Sequence, residues 1–279
     1  MRTAAADRPK LEGPPSFPRS VDTRDLFRAL LDFWRDGIEA SVDVVRRPWG
    51  VITRAERYPT VFMANEALVA STPEEGVPRI LADLDAVYAG SEIRHRRVWF
   101  EDAEEAFAAQ DAFVEAEFKP SAEVAMARVG MPSCIVNPDV AIREAEAEVV
   151  EEDYRGIWSA MDEASGYDAK LSHDLYALGL ERSRVLRTRR FVAYLNGEPA
   201  GIFLLWPRGR FALIDDVGTH PRFRMKGVGR TMIFEACHRA ILERCEWTLL
   251  TADLFDTPQM MYKTLGFEPI GELRGFFRA

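Results

Sequence analysis

The chain has 279 residues, an apolar fraction of 47% and a mean hydropathy of −0.18, values typical of a soluble protein with a hydrophobic core. It contains no run of eighteen apolar residues, so the sequence predicts no membrane span. The net charge of −9 argues against general binding to nucleic acid or to anionic membranes, and it is compatible with a cationic substrate.

The first twenty residues are rich in proline, alanine and charge, and they lack the apolar segment of a secretory signal. We expect residues 1–20 to form a flexible tail. The three cysteines, Cys134, Cys237 and Cys245, do not form a disulfide framework, which favours structural thiols in a reducing cytoplasm. The sequence therefore predicts a cytoplasmic protein, and we predict no metal site.

Hydrophobic periodicity predicts both helices and strands in residues 21–134. Residues 21–40 repeat apolar side chains at helical spacing, and Thr72-Pro73-Glu74-Glu75 is typical of a helix start. The predicted helices cover 21–40, the segment from 72 through Tyr88, and 104–117. The predicted strands cover 42–57 with an interruption at Pro48, 60–70 as a strand pair or a bulged strand, 96–100 and 121–129.

The pattern begins again near Pro138, so we expect a second unit over residues 139–279. Asn196-Gly197 and Arg208-Gly209 predict two hairpin turns between three consecutive strands. The predicted strands cover 140–149, 190–195, 200–207, 211–219, 247–252 and 270–277. The predicted helices cover 151–164, 168–182, 229–244 and 257–264.

One stretch of the second unit has the features of an anion site. Ile214–Arg230 begins as an apolar strand and ends as the first turn of a helix. Gly227 and Gly229 let the backbone approach a ligand closely. A helix start offers unpaired N–H groups and the positive end of a dipole, which suit a pyrophosphate, and Arg224 and Lys226 add full positive charge.

Two motifs together point to a family. The pattern R-x-x-G-x-G at 224–229, preceded by V-G-T-H-P at 217–221, resembles the acetyl-CoA signature of the GNAT superfamily of N-acetyltransferases. Residues 261–269, M-Y-K-T-L-G-F-E-P, resemble the late Y-x-x-x-G-F motif of that family. The resemblance covers about residues 139–279. It implies an α+β fold in which helices flank a mixed, mostly antiparallel sheet.

The resemblance also implies an activity. Members of the family use acetyl-CoA (coenzyme A) and transfer its acetyl group to a primary amine by direct attack on the thioester. We therefore predict an N-acetyltransferase that acts on a small-molecule or peptide amine. The alternative is a non-catalytic acyl-CoA sensor or interaction module of the same fold. A longer acyl donor or a hydroxyl acceptor also stays open, and an oligomer is compatible with the sequence.

Site residues follow from the matched motifs. In the family, the strand before the anion turn is splayed from the next strand and contacts the pantetheine arm, a role that falls on Val217, Gly218 and Thr219. The pyrophosphate contact falls on Arg224, Met225, Lys226, Gly227, Val228, Gly229 and Arg230.

Tyr262 stands at the position of the family's general acid. A phenol has a pKa near ~10, close to that of a thiol, so proton transfer between them is nearly matched. The alternative is a structural tyrosine that packs under Phe267. Phe255 occupies the place of a common pantetheine-binding asparagine, so Asp256 or Thr257 either takes that role or caps the following helix.

The general base is less defined. Asp215 and Asp216 are expected on opposite faces of their strand. Either one could order a water that deprotonates the amine, or attract an ammonium group, and Asp216 is our catalytic candidate. His220 has a suitable pKa but precedes a proline in a turn. His173 and Glu198 are expected to be ordinary surface residues.

The two units share a sequence pattern. Residues 118–124 (F-K-P-S-A-E-V) align with 267–273 (F-E-P-I-G-E-L), and Gly76-Val77-Pro78-Arg79 resembles the start of the helix after the anion turn. Pro78 replaces the second glycine, and residues 72–75 carry two acids where the second unit has basic residues. The hypothesis is a tandem protein whose first unit, 21–134, is a degenerate copy without a cofactor site. The alternative is a coincidence of helix and strand order.

Overall fold

The structure is a computed structural model that describes residues 22–255 and 258–279. The predicted tail at 1–20 and the candidate residue Asp256 lie outside this part. The described helices are α1 (Thr23–Glu39), α2 (Val77–Tyr88), α3 (Ala103–Glu115), α4 (Glu148–Ala164), α5 (Ala169–Leu186), α6 (Val228–Leu242) and α7 (Pro258–Thr264). The strands are β1 (Asp43–Arg47), β2 (Gly50–Arg54), β3 (Ala67–Val69), β4 (Arg96–Phe100), β5 (Lys119–Val129), β6 (Val140–Glu144), β7 (Arg189–Leu195), β8 (Glu198–Arg208), β9 (Phe211–Thr219), β10 (Trp247–Asp253) and β11 (Glu268–Arg278).

Several element boundaries differ from the sequence prediction, most clearly at three places. Segment 60–70 forms a short 3-10 turn before β3 rather than a strand pair. The helix predicted from Thr72 begins at Val77, because Gly76 adopts the left-handed φ of 67° that ends the preceding turn. The strand predicted over 140–149 ends at Glu144. Acidic residues Glu148 and Glu151 then occupy the first turn of α4, where the helix dipole stabilises negative charge.

All the described strands form one continuous sheet, in the order β1-β2-β3-β4-β11-β5-β10-β9-β8-β7-β6. The middle of this order exchanges strands between the two halves of the chain. Strand β11 of the second half lies between β4 and β5, and strand β5 of the first half lies between β11 and β10. Each half is therefore completed by a strand of the other.

The helices cover both faces of the sheet. Helices α2, α3, α6 and α7 pack on one side, which we call the front face, and α1, α4 and α5 pack on the back face. Alternation along β5 separates the two layers, because Val124 and Met126 belong to the front core and Ala125 and Ala127 to the back core. None of the described helices is long and apolar enough to span a membrane, and the three cysteines are free thiols.

The two halves repeat one topological unit. Parallel pairs β3–β4 and β9–β10 each enclose a front-face helix, α2 in the first half and α6 in the second. Both helices begin after a glycine with positive φ, 67° at Gly76 and 78° at Gly227. The segments aligned in sequence thus occupy equivalent places. A common origin of the two halves stays a hypothesis, as do the unit boundaries 21–134 and 139–279.

Candidate active site

A gap opens in the sheet between β9 and β10. The two parallel strands are paired only between residues 211–213 and 247–249, although β9 continues to Thr219 and β10 to Asp253. From Ile214 onward the strands diverge, and the edge of β9 that faces β10 has no strand partner. Val217, Gly218 and Thr219 lie on this diverging part of β9. A splayed strand is the arrangement that the sequence motif implies.

The predicted anion turn lies at the end of this gap. Six successive backbone N–H groups, those of residues 225–230, donate to no acceptor in the described part of the chain, and no side chain caps α6. Arg224, Met225 and Lys226 are exposed, with Met225 in the left-handed region at a φ of 61°. Unpaired N–H groups at the start of a 15-residue helix, with two basic side chains beside them, are features that favour an anion.

Gly218, Gly227 and Gly229 differ in what their surroundings demand of the residue. Gly227 precedes α6 with a φ of 78°, which favours glycine. A Cβ at Gly229 would make ordinary contacts with Thr219 and Met261 at 3.6 Å, so the local packing does not require glycine there. A Cβ at Gly218 would lie 1.9 Å from Cε of Met161, so a larger residue there would displace this side chain of α4.

The anion turn is held by a residue that the sequence analysis did not single out. Asn137, between the two halves, donates from Nδ2 to the carbonyl oxygen of Lys226 at 2.9 Å. Its backbone N–H donates to Oγ1 of Thr231, which in turn donates to the carbonyl oxygen of Gly227. These hydrogen bonds hold the turn in place. The sequence analysis missed Asn137 because it lies far along the chain from residue 226.

The positions of Asp215 and Asp216 contradict the prediction that they lie on opposite faces of their strand. A β-bulge lies opposite Ile202–Leu204, and Asp216 within it adopts a positive φ of 51°. The bulge cancels the strand alternation, so Asp215 and Asp216 line the same cavity instead of pointing to opposite faces. Asn and Asp tolerate this φ better than most residues. Asp215 Oδ1 accepts the backbone N–H of Asp216 at 2.9 Å.

Burial and mutual repulsion favour a proton on this pair. The pKa of Asp216 is raised to about 8, first because the protein surrounds it and then because Asp215 is negatively charged; Arg182 and Arg190 oppose the rise. Burial likewise raises the pKa of Asp215. Asp215 retains solvent-accessible surface and lines the cavity. A carboxyl poised near neutral pH is suited to accept a proton.

The cavity has a volume of about 220 Å³ and lies on the back face of the sheet. Helices α1 and α5 form its walls. Its charged lining residues are Glu66, Arg97, Glu123, Arg182, Asp215 and Asp216, and its aromatic lining residues are Phe33, Trp34, Trp158 and Trp206. Thr251 of β10 completes the edge of the gap. The cavity therefore meets the front face where β9 and β10 diverge.

Tyr262 approaches the same gap from the front face. Its side chain is only 5% exposed and packs against Phe267, with ring centroids 6.0 Å apart. Burial, and then the charge of Asp215, raises the pKa of Tyr262 to about 12. The phenol therefore keeps its proton at neutral pH, and it is a weaker acid than an ordinary phenol, so the near match to the pKa of a thiol is lost. The packing expected of a structural tyrosine is also present, so the role of Tyr262 as an acid stays a prediction.

The remaining candidates lie outside the cavity. His220 Nδ1 accepts the backbone N–H of Arg222, and its ring packs on Phe223. Glu198 pairs with Arg222, and His173 is exposed on α5. Phe255, at the position of the common asparagine, is 82% exposed.

Comparisons with known proteins agree with this geometry. A family model described as an acetyltransferase (GNAT) domain matches residues 187–269. A search of curated proteins gave no match. A GCN5-related N-acetyltransferase from Kribbella flavida has a similar structure, with 17% identity, a TM-score of 0.62, and coverage of 93% of this chain and 96% of that one.

Two further solved structures are similar over most of their length. A functionally unknown protein from Staphylococcus epidermidis shares 16% identity at a TM-score of 0.67, covering 86% of this chain and 94% of that one. A tandem GNAT protein from the clavulanic acid biosynthesis pathway shares 15% identity at a TM-score of 0.55, covering 84% and 81%. These likenesses show the fold, and the family model covers the anion turn and Tyr262. The chain therefore has the GNAT acetyltransferase fold, and residues 187–269 match the family model of a GNAT acetyltransferase domain.

Proposed function

We propose that the protein is an acetyl-CoA-dependent N-acetyltransferase that acts on a primary amine. The observation that carries the proposal is the row of unpaired N–H groups at residues 225–230, at the mouth of a gap that leads to a carboxylate-lined cavity. When bound, acetyl-CoA supplies an activated acetyl thioester. A mere interaction module has no need for the aspartate pair beyond the gap, which favours an enzyme over a sensor.

The residues present fit this cofactor. The N–H groups of 225–230, with Arg224 and Lys226, would hold the pyrophosphate. The unpaired edge of β9 at Val217, Gly218 and Thr219 offers backbone groups to the pantetheine arm. Asp256 stays a proposed further contact.

The chemistry of the chain's own groups is proton transfer and positioning. Asp216, in its ionised form, accepts a proton from the ammonium group of the acceptor, directly or through a water, and Asp215 holds the acceptor beside it. Tyr262 donates its phenolic proton to the departing thiolate. The aromatic walls of the cavity exclude bulk water from the acceptor amine.

The test is a paired assay on the full chain. Incubation with acetyl-CoA and a panel of primary amines should release CoA thiol and form an equal amount of N-acetyl product, measured by a thiol reagent and by mass spectrometry. Binding of acetyl-CoA with no thiol release for any amine would favour the sensor instead. Absence of acetyl-CoA binding would contradict both.

A further inference from the structure

Both halves of the chain build the back-face cavity. The first half contributes α1 as a wall and the side chains of Glu66, Arg97 and Glu123, although its own front-face helix lacks the basic anion turn. The second half contributes α5 and the aspartate pair. At about 220 Å³ the cavity is smaller than the ~300–1,000 Å³ pockets of drug-sized ligands, so it suits a compact molecule.

The two arginines of the cavity already have partners. Arg182 donates to three backbone carbonyl oxygens: those of Met63 at 2.8 Å and of Ile38 and Ala40 at 3.3 Å. Arg97 lies 3.3 Å from a carboxylate oxygen of Glu66 and stacks over the rings of Phe62 and Trp99. The backbone carbonyl oxygens therefore satisfy Arg182, and the charge of Arg97 is opposed by Glu66. Acids outnumber arginines around the cavity by four to two.

The acidic side chains of the cavity have few ion partners. Among the described residues, no basic nitrogen lies within the 4.0 Å ion-pair distance of Glu123, Asp215 or Asp216. Glu66 is 3% exposed, and its Oε2 accepts no hydrogen bond despite the nearby Arg97. Carboxylates enclosed without an ion partner are costly unless they are protonated or a cation joins them. The cavity therefore has an unmet preference for positive charge.

The aromatic walls of the cavity would accommodate an apolar part of a ligand next to its positive charge. Phe33 and Trp206 pack edge to face with ring centroids 4.9 Å apart, and Trp34 and Trp158 line other parts of the cavity. Aromatic faces attract ammonium groups and also bury hydrocarbon surface. A carboxylate on the ligand would lie among four acids and only two arginines, so the net charge of the lining disfavours it.

We propose that the cavity selects a compact aralkyl amine in its ammonium form, and that the first half of the chain acts as the acceptor-recognition half through α1, Glu66 and Glu123. This inference rests on the proposed function. Glu123 lies on β5, the strand that the first half inserts beside β10. Strand exchange thus places a carboxylate of the first half across the gap from Asp215. Glu123 is a specificity residue that holds the ammonium group, while Asp216 takes its proton.

Steady-state kinetics on the full chain tests the inference with phenethylamine and phenylalanine, which differ by one carboxylate. Phenethylamine should have the higher kcat/KM by about tenfold or more. Glu123→Gln should raise KM for phenethylamine about tenfold or more with kcat nearly unchanged, because it removes one partner of an enclosed charge pair. Glu123→Asp should restore most of the affinity. Glu115→Gln, on the exposed end of α3, should change nothing.

Equal kcat/KM for the two acceptors, or an unchanged KM in Glu123→Gln, would overturn the inference while leaving acetyl transfer intact. If no CoA thiol is released from acetyl-CoA with any amine, the proposed function fails. Calorimetry of amine binding without acetyl-CoA then still tests the cavity. Phenethylammonium should then bind the wild-type chain more tightly than the Glu123→Gln chain. Equal affinity there would overturn the inference as well. Thermal unfolding of each variant verifies that it is folded.

Discussion

Replacing Asp216 with asparagine should separate activity from stability. The residue sits in a β-bulge at a φ of 51°, a conformation that asparagine also tolerates, so the backbone should be preserved. The change removes the proposed base, and turnover should fall ~10²–10⁴-fold, the usual range for a positioned acid or base. It also removes an enclosed negative charge, so the folded protein should become more stable.

The size of the gain follows from the pKa of Asp216, which folding raises from an ordinary 3.8 to about 8. A raised carboxyl pKa stabilises the folded state below the ordinary value, and this contribution is lost as the pH rises toward the folded value. Each pKa unit is worth ~1.4 kcal/mol, and about three units separate 3.8 from pH 7, so the shift costs the folded state at most ~4 kcal/mol at pH 7. Cavity water screens the charge, and we expect ~1–3 kcal/mol.

Denaturant unfolding from pH 4 to pH 9 would measure this gain. The difference in unfolding free energy between Asp216→Asn and wild type should be smallest near pH 4, increase with pH, and level off above about 8. Wild-type kcat/KM should rise over the same range. Asp111→Asn, exposed on α3, is the matched control and should show no such trend. A gain that does not depend on pH would refute the reasoning.

Three other perturbations test the cofactor site, the acid and the strand exchange. Gly227→Asp should abolish acetyl-CoA binding in calorimetry, because it adds a Cβ at positive φ and a negative charge, whereas Gly209→Asp, in the open β8–β9 hairpin, should bind normally. Tyr262→Phe should lower kcat ~10²–10⁴-fold with acetyl-CoA affinity unchanged; wild-type turnover would remove the phenol from the mechanism. The fragment 139–279 lacks β5 between β10 and β11, so it should self-associate in analytical ultracentrifugation. A monomeric, active fragment would contradict the structural dependence between halves.

Local patterns predicted most elements and the anion turn, because helix periodicity, hairpin turns and the glycine-rich helix start act over a few residues. The sequence did not reveal the bulge that brings Asp215 and Asp216 together, since strand alternation alone predicts opposite faces. Strand exchange and the contact of Asn137 with the anion turn depend on residues far apart in the chain. The acceptor cavity escaped prediction for the same reason, because its walls come from both halves.

A crystal structure of the full chain with coenzyme A and phenethylamine would test the central claim most directly. The account predicts one coenzyme A per chain, with its pyrophosphate on the N–H groups of residues 225–230 and its thiol in the gap between β9 and β10. The ammonium group should lie among Asp215, Asp216 and Glu123 on the back face. Coenzyme A bound away from the anion turn, or an amine outside the cavity, would contradict the account.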